Sequence, residues 1–274
     1  MPQHKSTLLL LLLITFVFMT GCTTIDPPPA EHKDLPYVDG GGVRQQGDLY
    51  LPSGAGPFPF AVVIHGGGWI NRDRSDMAAV SRQLAAAGIA AFNINYRLAP
   101  KHHYPAQLED VHAALRYLQD HAERYQLDTS RCLTVGYSAG GHLALLAAEI
   151  RDQKGPEISA VIAGGAPVDF SLYPKSPFIT PFIGGSPREF PDAWHEASPI
   201  NQVTPEHPPV FLYHARLDLL VQYKNARMMK AALEEAGVPV QLDTAWFYGH
   251  LLQGAHQGPA IRNAIDFVEK QWAK

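Results

Sequence analysis

The chain has 274 residues, 46% apolar and 18% charged, which suits one large α/β domain or two small ones and excludes general disorder. A formal charge of -4, with no basic block, argues against nucleic acid as a partner. Two cysteines, Cys22 and Cys132, leave no room for a disulfide framework.

Leu8 to Met19 is an almost unbroken apolar run behind a short segment that carries Lys5. It is shorter than the about 20 residues of a spanning helix and fits the apolar region of a secretory signal. The run ends in Met19-Thr20-Gly21-Cys22, which resembles a bacterial lipoprotein processing site. The resemblance implies that residues 1–22 are a lipoprotein signal peptide and that Cys22 is acylated as the new N-terminus. With Thr23 rather than Asp next, it also implies an exported chain anchored by lipid at the outer membrane. The alternative is an ordinary cleaved signal or an uncleaved anchor, with Cys22 incidental. Residues 23–44 read as a tether and N-terminal extension. Within it, 23–36 is held extended by Pro27-Pro28-Pro29.

From residue 45 to 274 strands and helices alternate. Phe60 to Ile64 is a continuous apolar run, as in a strand buried on both faces. A helix is predicted over Ser75 to Ala87, stopping at Gly88, with a buried strand following over Ile89 to Ile94. Gln107 to Arg124 carries Leu108, Val111, Leu115 and Leu118 near helical spacing. Then come a strand over Cys132 to Gly136, a helix over Ala139 to Ile150 and a strand over Ile158 to Ala163. Residues 170–208, rich in Pro, Phe and Gly, break the rhythm and hold one short helix near Asp192 to Ala197. Such a stretch inside a compact domain reads as a lid or pocket wall. Strands Val210 to Tyr213 and Val240 to Trp246 and helices Gln222 to Ala236 and Pro259 to Lys270 complete the chain. The pattern predicts an α/β fold, a mostly parallel central sheet with helices on both faces and function at the carboxyl ends of the strands.

His65-Gly66-Gly67-Gly68-Trp69 directly follows the first buried strand. Three adjacent glycines are entropically costly, and close approach of backbone N–H groups to a substrate oxygen is a reason for them. Gly67 and Gly68, with Ala139, are the expected oxyanion donors, and His65 is expected to shape the loop. A phosphate cradle is the rival reading, but no Lys-Ser/Thr pair follows. Gly136-Tyr137-Ser138-Ala139-Gly140 lies where a strand ends and a helix begins. A serine on that sharp turn exposes its hydroxyl beside a helix N-terminus, which makes Ser138 the candidate nucleophile. Its proton needs a base, and the base a carboxylate. Asp218 and His250 each follow a predicted strand and are preferred to Asp243, Asp266 and His256.

Together, His65-Gly66-Gly67-Gly68, Gly136-Tyr137-Ser138-Ala139-Gly140-Gly141, Asp218 and His250 resemble the hormone-sensitive-lipase-like esterases of the α/β-hydrolase fold. Asn95-Tyr96-Arg97-Leu98-Ala99-Pro100, with Tyr104-Pro105-Ala106 and Glu109-Asp110, looks like that group's second signature and is expected to fix a loop and helix. Tyr137 stands where that group has Asp, and Gly-Tyr-Ser-Ala-Gly-Gly-His is similar to the branch of feruloyl and acetyl-xylan esterases. Too little chain separates Cys22 from Phe60 for the cap helices of the larger members, so the resemblance implies a more open pocket.

The expected activity is that of a serine carboxylesterase acting through an acyl-enzyme on short- to medium-chain acyl, acetyl or aromatic-acyl esters. No metal or cofactor is expected. The expected partners are a small-molecule ester and, through the lipid, a membrane. A serine peptidase or amidase of the same fold is the first alternative, and a non-catalytic binding protein on the scaffold the second. Trp69, Tyr137, Phe178, Phe182 and Trp246 are candidate pocket-wall residues, and His103 and His142 candidate neighbours of the pocket.

Overall fold

In the computed structural model, residues 30–274 are described. The segment 1–22 expected to be a signal peptide, Cys22 included, and the proline run at 27–29 lie outside the described residues. Eight strands form one sheet in the order β1-β2-β4-β3-β5-β6-β7-β8. They are β1 (Ala30–Pro36), β2 (Gln46–Leu51), β3 (Phe58–Ile64), β4 (Ala90–Ile94), β5 (Leu127–Tyr137), β6 (Ile158–Gly164), β7 (Val210–Ala215) and β8 (Val240–Ala245). β2 is antiparallel to both β1 and β4, and all neighbours from β4 to β8 are parallel. The helices are α1 (Ala78–Ala86), α2 (Ala106–Asp120), α3 (Ala122–Tyr125), α4 (Ala139–Glu149), α5 (Ile179–Ile183), α6 (Pro191–Glu196), α7 (Lys224–Glu235), α8 (His250–Ala255) and α9 (Gly258–Trp272). This is the α/β-hydrolase architecture.

Successive side chains of a strand point to opposite faces, so a strand covered on both sides must be apolar throughout. In β3, Phe60, Val62 and Ile64 join the core under α2, α4 and α7, while Ala61 and Val63 join the core under α1 and α9. Helix α4, which follows Ser138, is apolar on nearly its whole circumference, since Ala139 to Ala148 are all buried.

Two N-terminal strands depart from the sequence expectation. The segment 23–36 reads as a tether, but Ala30–Pro36 is the edge strand β1, and β2 was not foreseen at all. β1 lacks an apolar pattern because it is mostly exposed, and charged side chains secure it instead. The Asp34 N–H donates to Asp48 Oδ1 at 3.0 Å, and Arg74 bridges Asp48 at 3.0 Å and also pairs with Asp34. The insertion 170–208 is more structured than predicted. It adds α5 to the expected short helix, and Phe182, Trp194 and Ala197 bury into the main core.

Candidate active site

Ser138 joins β5 to α4 with φ 56° and ψ -122°, a backbone that costs an L-residue roughly 1–3 kcal/mol and persists only where surroundings impose it. Here two hydrogen bonds do so. The Ser138 N–H donates to the Gly164 carbonyl at 2.7 Å, and the His142 N–H donates to the Ser138 carbonyl at 3.0 Å. The flanking glycines serve space. A Cβ on Gly136 would overlap the Gly140 backbone, and one on Gly140 would overlap the carbonyls of Ile64 and His65.

The glycine turn after β3 rests against this elbow. A Cβ on Gly66 would lie 2.9 Å from the Tyr137 carbonyl oxygen and 3.3 Å from Ser138 Cβ. Gly67 and Gly68 hold φ of 104° and 60°, open only to glycine at low cost. The N–H groups of Gly67, Gly68 and Ala139 donate to no other protein group among the described residues. His65 lies beneath, buried, stacked on Tyr96 at 4.3 Å, its Nδ1–H donating to the Gly66 carbonyl at 2.7 Å. Burial lowers its pKa to about 4, so it is a neutral spacer at physiological pH. The second signature holds this assembly. The Tyr96 hydroxyl donates to the His65 carbonyl at 3.0 Å, and the Ala99 N–H donates to the Trp69 carbonyl at 2.9 Å. Arg97 binds both oxygens of buried Asp110 at the start of α2.

Asp218 follows β7 and His250 opens α8 after β8. His250 Nδ1–H donates to Asp218 Oδ2 at 2.6 Å, and the Ser138 hydroxyl donates to His250 Nε2 at 2.9 Å. Asp218 Oδ1 accepts the N–H groups of Leu220 at 2.9 Å and Val221 at 2.8 Å, closing the turn. Burial tends to raise the Asp218 carboxyl, but hydrogen bonds from His214, His250 and the Val221 amide outweigh it and hold the group below the usual carboxylate range. It therefore stays anionic at neutral pH, as a partner for an imidazolium requires. Sequence reasoning missed His214. Its Nε2–H donates to the Val221 carbonyl at 2.8 Å and lies 3.3 Å from Asp218 Oδ2. Its position four residues before Asp218 was the available signal.

Gly66 to Trp69, Tyr137, Ser138, Ala139 and His250 all border one cavity of about 980 Å³. Residues 172–179 of the insertion supply another wall, Phe178 included. Phe182 does not border the cavity but is buried behind it, stacked on Trp69 at 4.4 Å. Trp246 is 65% exposed and also outside it. His103 and His142 bind carbonyls elsewhere, of Pro181 and Ala197. The rivals stand apart from Ser138: His256 binds the Leu252 carbonyl, Asp243 binds Asn263, and Asp266 is exposed on α9. Among the described residues no group of three or more His, Cys, Asp or Glu side chains is placed to hold a metal ion.

A serine on a strained strand-to-helix turn, with an imidazole and a carboxylate in line at the carboxyl end of a parallel sheet, defines an α/β-hydrolase. The BD-FAE family model matches residues 48–233, and the chain belongs to the BD-FAE family. It is similar to esterase LipC of Mycobacterium tuberculosis, 27% identical over 237 residues that make up 78% of this chain and 59% of that protein. It is 28% identical over 244 residues to the versiconal hemiacetal acetate esterase of Dothistroma septosporum, covering 79% of this chain and 73% of that one. The chain spans about half the length of the first curated relatives it matches. Among solved structures, a truncated form of a carbohydrate esterase from gut microbiota matches with a TM-score of 0.79 at 26% identity, over 89% of this chain and 97% of that one.

Proposed function

We propose that the protein is a serine carboxylesterase with Ser138, His250 and Asp218 as its catalytic residues. The observation that carries this is the unbroken chain of hydrogen bonds from Asp218 through His250 to the Ser138 hydroxyl, at the edge of an open cavity. His250 takes the hydroxyl proton as Ser138 Oγ attacks the ester carbonyl. The oxyanion is received by the N–H groups of Gly67, Gly68 and Ala139, each such donor contributing about 3 kcal/mol to the transition state. Collapse expels the alcohol, protonated by His250, and leaves an acyl-serine. Water, deprotonated by the same imidazole, then releases the acid.

Esters are favoured over amides because an alcohol asks less of the general acid than an amine. Short or medium acyl groups, or acetyl and aromatic-acyl groups on sugars, fit an apolar cavity walled by Phe178 and Tyr137, and the name of the carbohydrate esterase it resembles supports the sugar-ester reading. The test is hydrolysis of p-nitrophenyl acetate and butyrate. Ser138→Ala is expected to lower turnover by a factor on the order of 10⁵ or more. Equal rates for the two proteins would reject the mechanism, and a peptide arylamide cleaved faster than the esters would favour a peptidase.

The apolar run at Leu8 to Met19 and the Met-Thr-Gly-Cys sequence support export and lipid anchoring at Cys22, with outer-membrane sorting. Metabolic labelling with a fatty acid is expected to mark the full-length protein and to fail for Cys22→Ser. Equal labelling of both would remove the anchor.

A further inference from the structure

We propose that Tyr137 is a positioning residue for His250: its hydroxyl holds the histidine's main chain, so that one side chain sets the distance between nucleophile and base. The inference rests on the esterase reading above. Its observation is a buried hydrogen bond, 2.6 Å, from the Tyr137 hydroxyl to the His250 carbonyl. Tyr137 is the covalent neighbour of Ser138. Tyr137, Ser138 and His250 therefore form a closed ring, fastened at one point by Ser138 Oγ–H to His250 Nε2 and at the other by the tyrosine.

The ring matters because, apart from the Asp218 bond to its imidazole, the histidine is carried only by a short helix. α8 has six residues, far too few to be stable as an isolated helix, so its place depends on tertiary contacts. Two of its side chains, Leu251 and Leu252, stay exposed, 75% and 46%, and add little packing. Its other end is held through a second tyrosine. The Tyr213 hydroxyl donates to Gln257 Oε1 at 2.6 Å, and Gln257 Nε2 donates to the Gly254 carbonyl at 2.8 Å.

The two tyrosines stack at 5.9 Å although β6 separates their strands. Gly164 and Gly165 at the end of β6 make room for them. A Cβ on Gly164 would overlap the Tyr213 ring, and one on Gly165 would lie 2.9 Å from Tyr137 Cζ. Gly254 in α8 faces the same ring, with its Cβ position 2.8 Å from Tyr137 Cε1. Burial pushes the Tyr137 phenol well above its usual value, so it remains a donor through the working pH range.

Tyr137→Phe keeps the ring and deletes only the hydroxyl. With an active wild type, it is expected to lower kcat about 10- to 100-fold, the cost of a base displaced by about 1 Å, and to leave KM unchanged. A readout independent of turnover is the proton shared by His250 Nδ1 and Asp218. Its downfield NMR resonance is expected in the wild type and broadened by solvent exchange in the variant. Gly254→Ala, which keeps the hydroxyl but pushes a methyl into the ring, is expected to lower kcat in the same way and serves if Tyr137→Phe does not fold. Unchanged kcat in the folded variant, or a rate loss matched by a rise in KM with the resonance retained, overturns the assignment. A wild type inactive on every ester overturns the esterase reading alone, and the resonance then decides the positioning.

Discussion

The proposed nucleophile and the proposed acid–base pair are supported by regions of opposite character. Ser138 and the glycine turn are ends of β5 and β3, strands buried in the centre of the sheet, and α4 behind Ser138 is buried along its length. Asp218 stands in the loop after β7 and His250 opens α8 after β8, at the sheet's far edge. Apart from Val43 and Phe190, the large apolar side chains exposed among the described residues all lie in the loops after β7 and β8 or in α8: Leu217, Leu219, Leu220, Trp246, Phe247, Leu251 and Leu252. The proposed oxyanion donors are thus fixed by packing, which is what electrostatic preorganisation needs. The base depends instead on a few directed hydrogen bonds.

The sharpest way to break this comparison is Asp218→Asn. The Oδ1 bonds to Leu220 and Val221 can survive, so the turn should persist, while the acceptor for His250 Nδ1–H is lost. A loss of about 10⁴ in kcat with an unchanged melting temperature is expected. A melting temperature that falls with activity would mean that Asp218 supports the fold as well. On the other half, Leu143 is fully buried, and Leu143→Ala should cost about 2–5 kcal/mol in urea unfolding. A cost below 1 kcal/mol would show that the nucleophile side is not tightly packed.

A third test is acid. Burial lowers His65 to about 4 and His142 to about 3, and both belong to the nucleophile half. They are neutral when folded but protonate below about 6.5 when unfolded, so unfolding takes up protons as pH falls. Stability on their account is unaffected above about pH 6.5 and is lost as pH falls, towards about 4 for His65 and about 3 for His142, at most about 1.4 kcal/mol per pH unit for each. His142→Gln is expected to make that decline in the urea midpoint shallower, and an unaltered slope would contradict it. The smallest effect should come from Leu219, 93% exposed. Leu219→Ser is expected to stay within about 0.5 kcal/mol of wild type. A larger loss would mean that the loop packs more firmly than its exposure indicates.

Legibility in the sequence followed burial. β3, β4 and β6 are mostly apolar, interrupted only by Asn93 in β4 and Ser159 in β6, readable because both faces are covered, and their observed ends lie within two residues of those predicted. α8 has no counterpart among the predicted elements because six residues are too few to carry a helical period. β1 was read as tether because its stability comes from Asp34, Asp48 and Arg74, partners far apart in the chain. The aromatic wall was only half legible. Trp69, Tyr137 and Phe178 border the cavity whereas Phe182 and Trp246 do not, since residue type says nothing of which way a ring turns.

By itself the sequence determined the local chemistry. A glycine two residues either side of Ser138 permits the elbow, three glycines permit the turn at 66–68, and alternating apolar segments permit a parallel sheet. These are properties of short stretches, and short stretches carry them. Only the tertiary structure decided that His214 lies against Asp218, that Tyr137 fastens His250, and that Gly164 and Gly165 open the space where two tyrosines meet. Those contacts join side chains whose separation in space depends on strand order and on how the sheet is covered, quantities that no local pattern encodes.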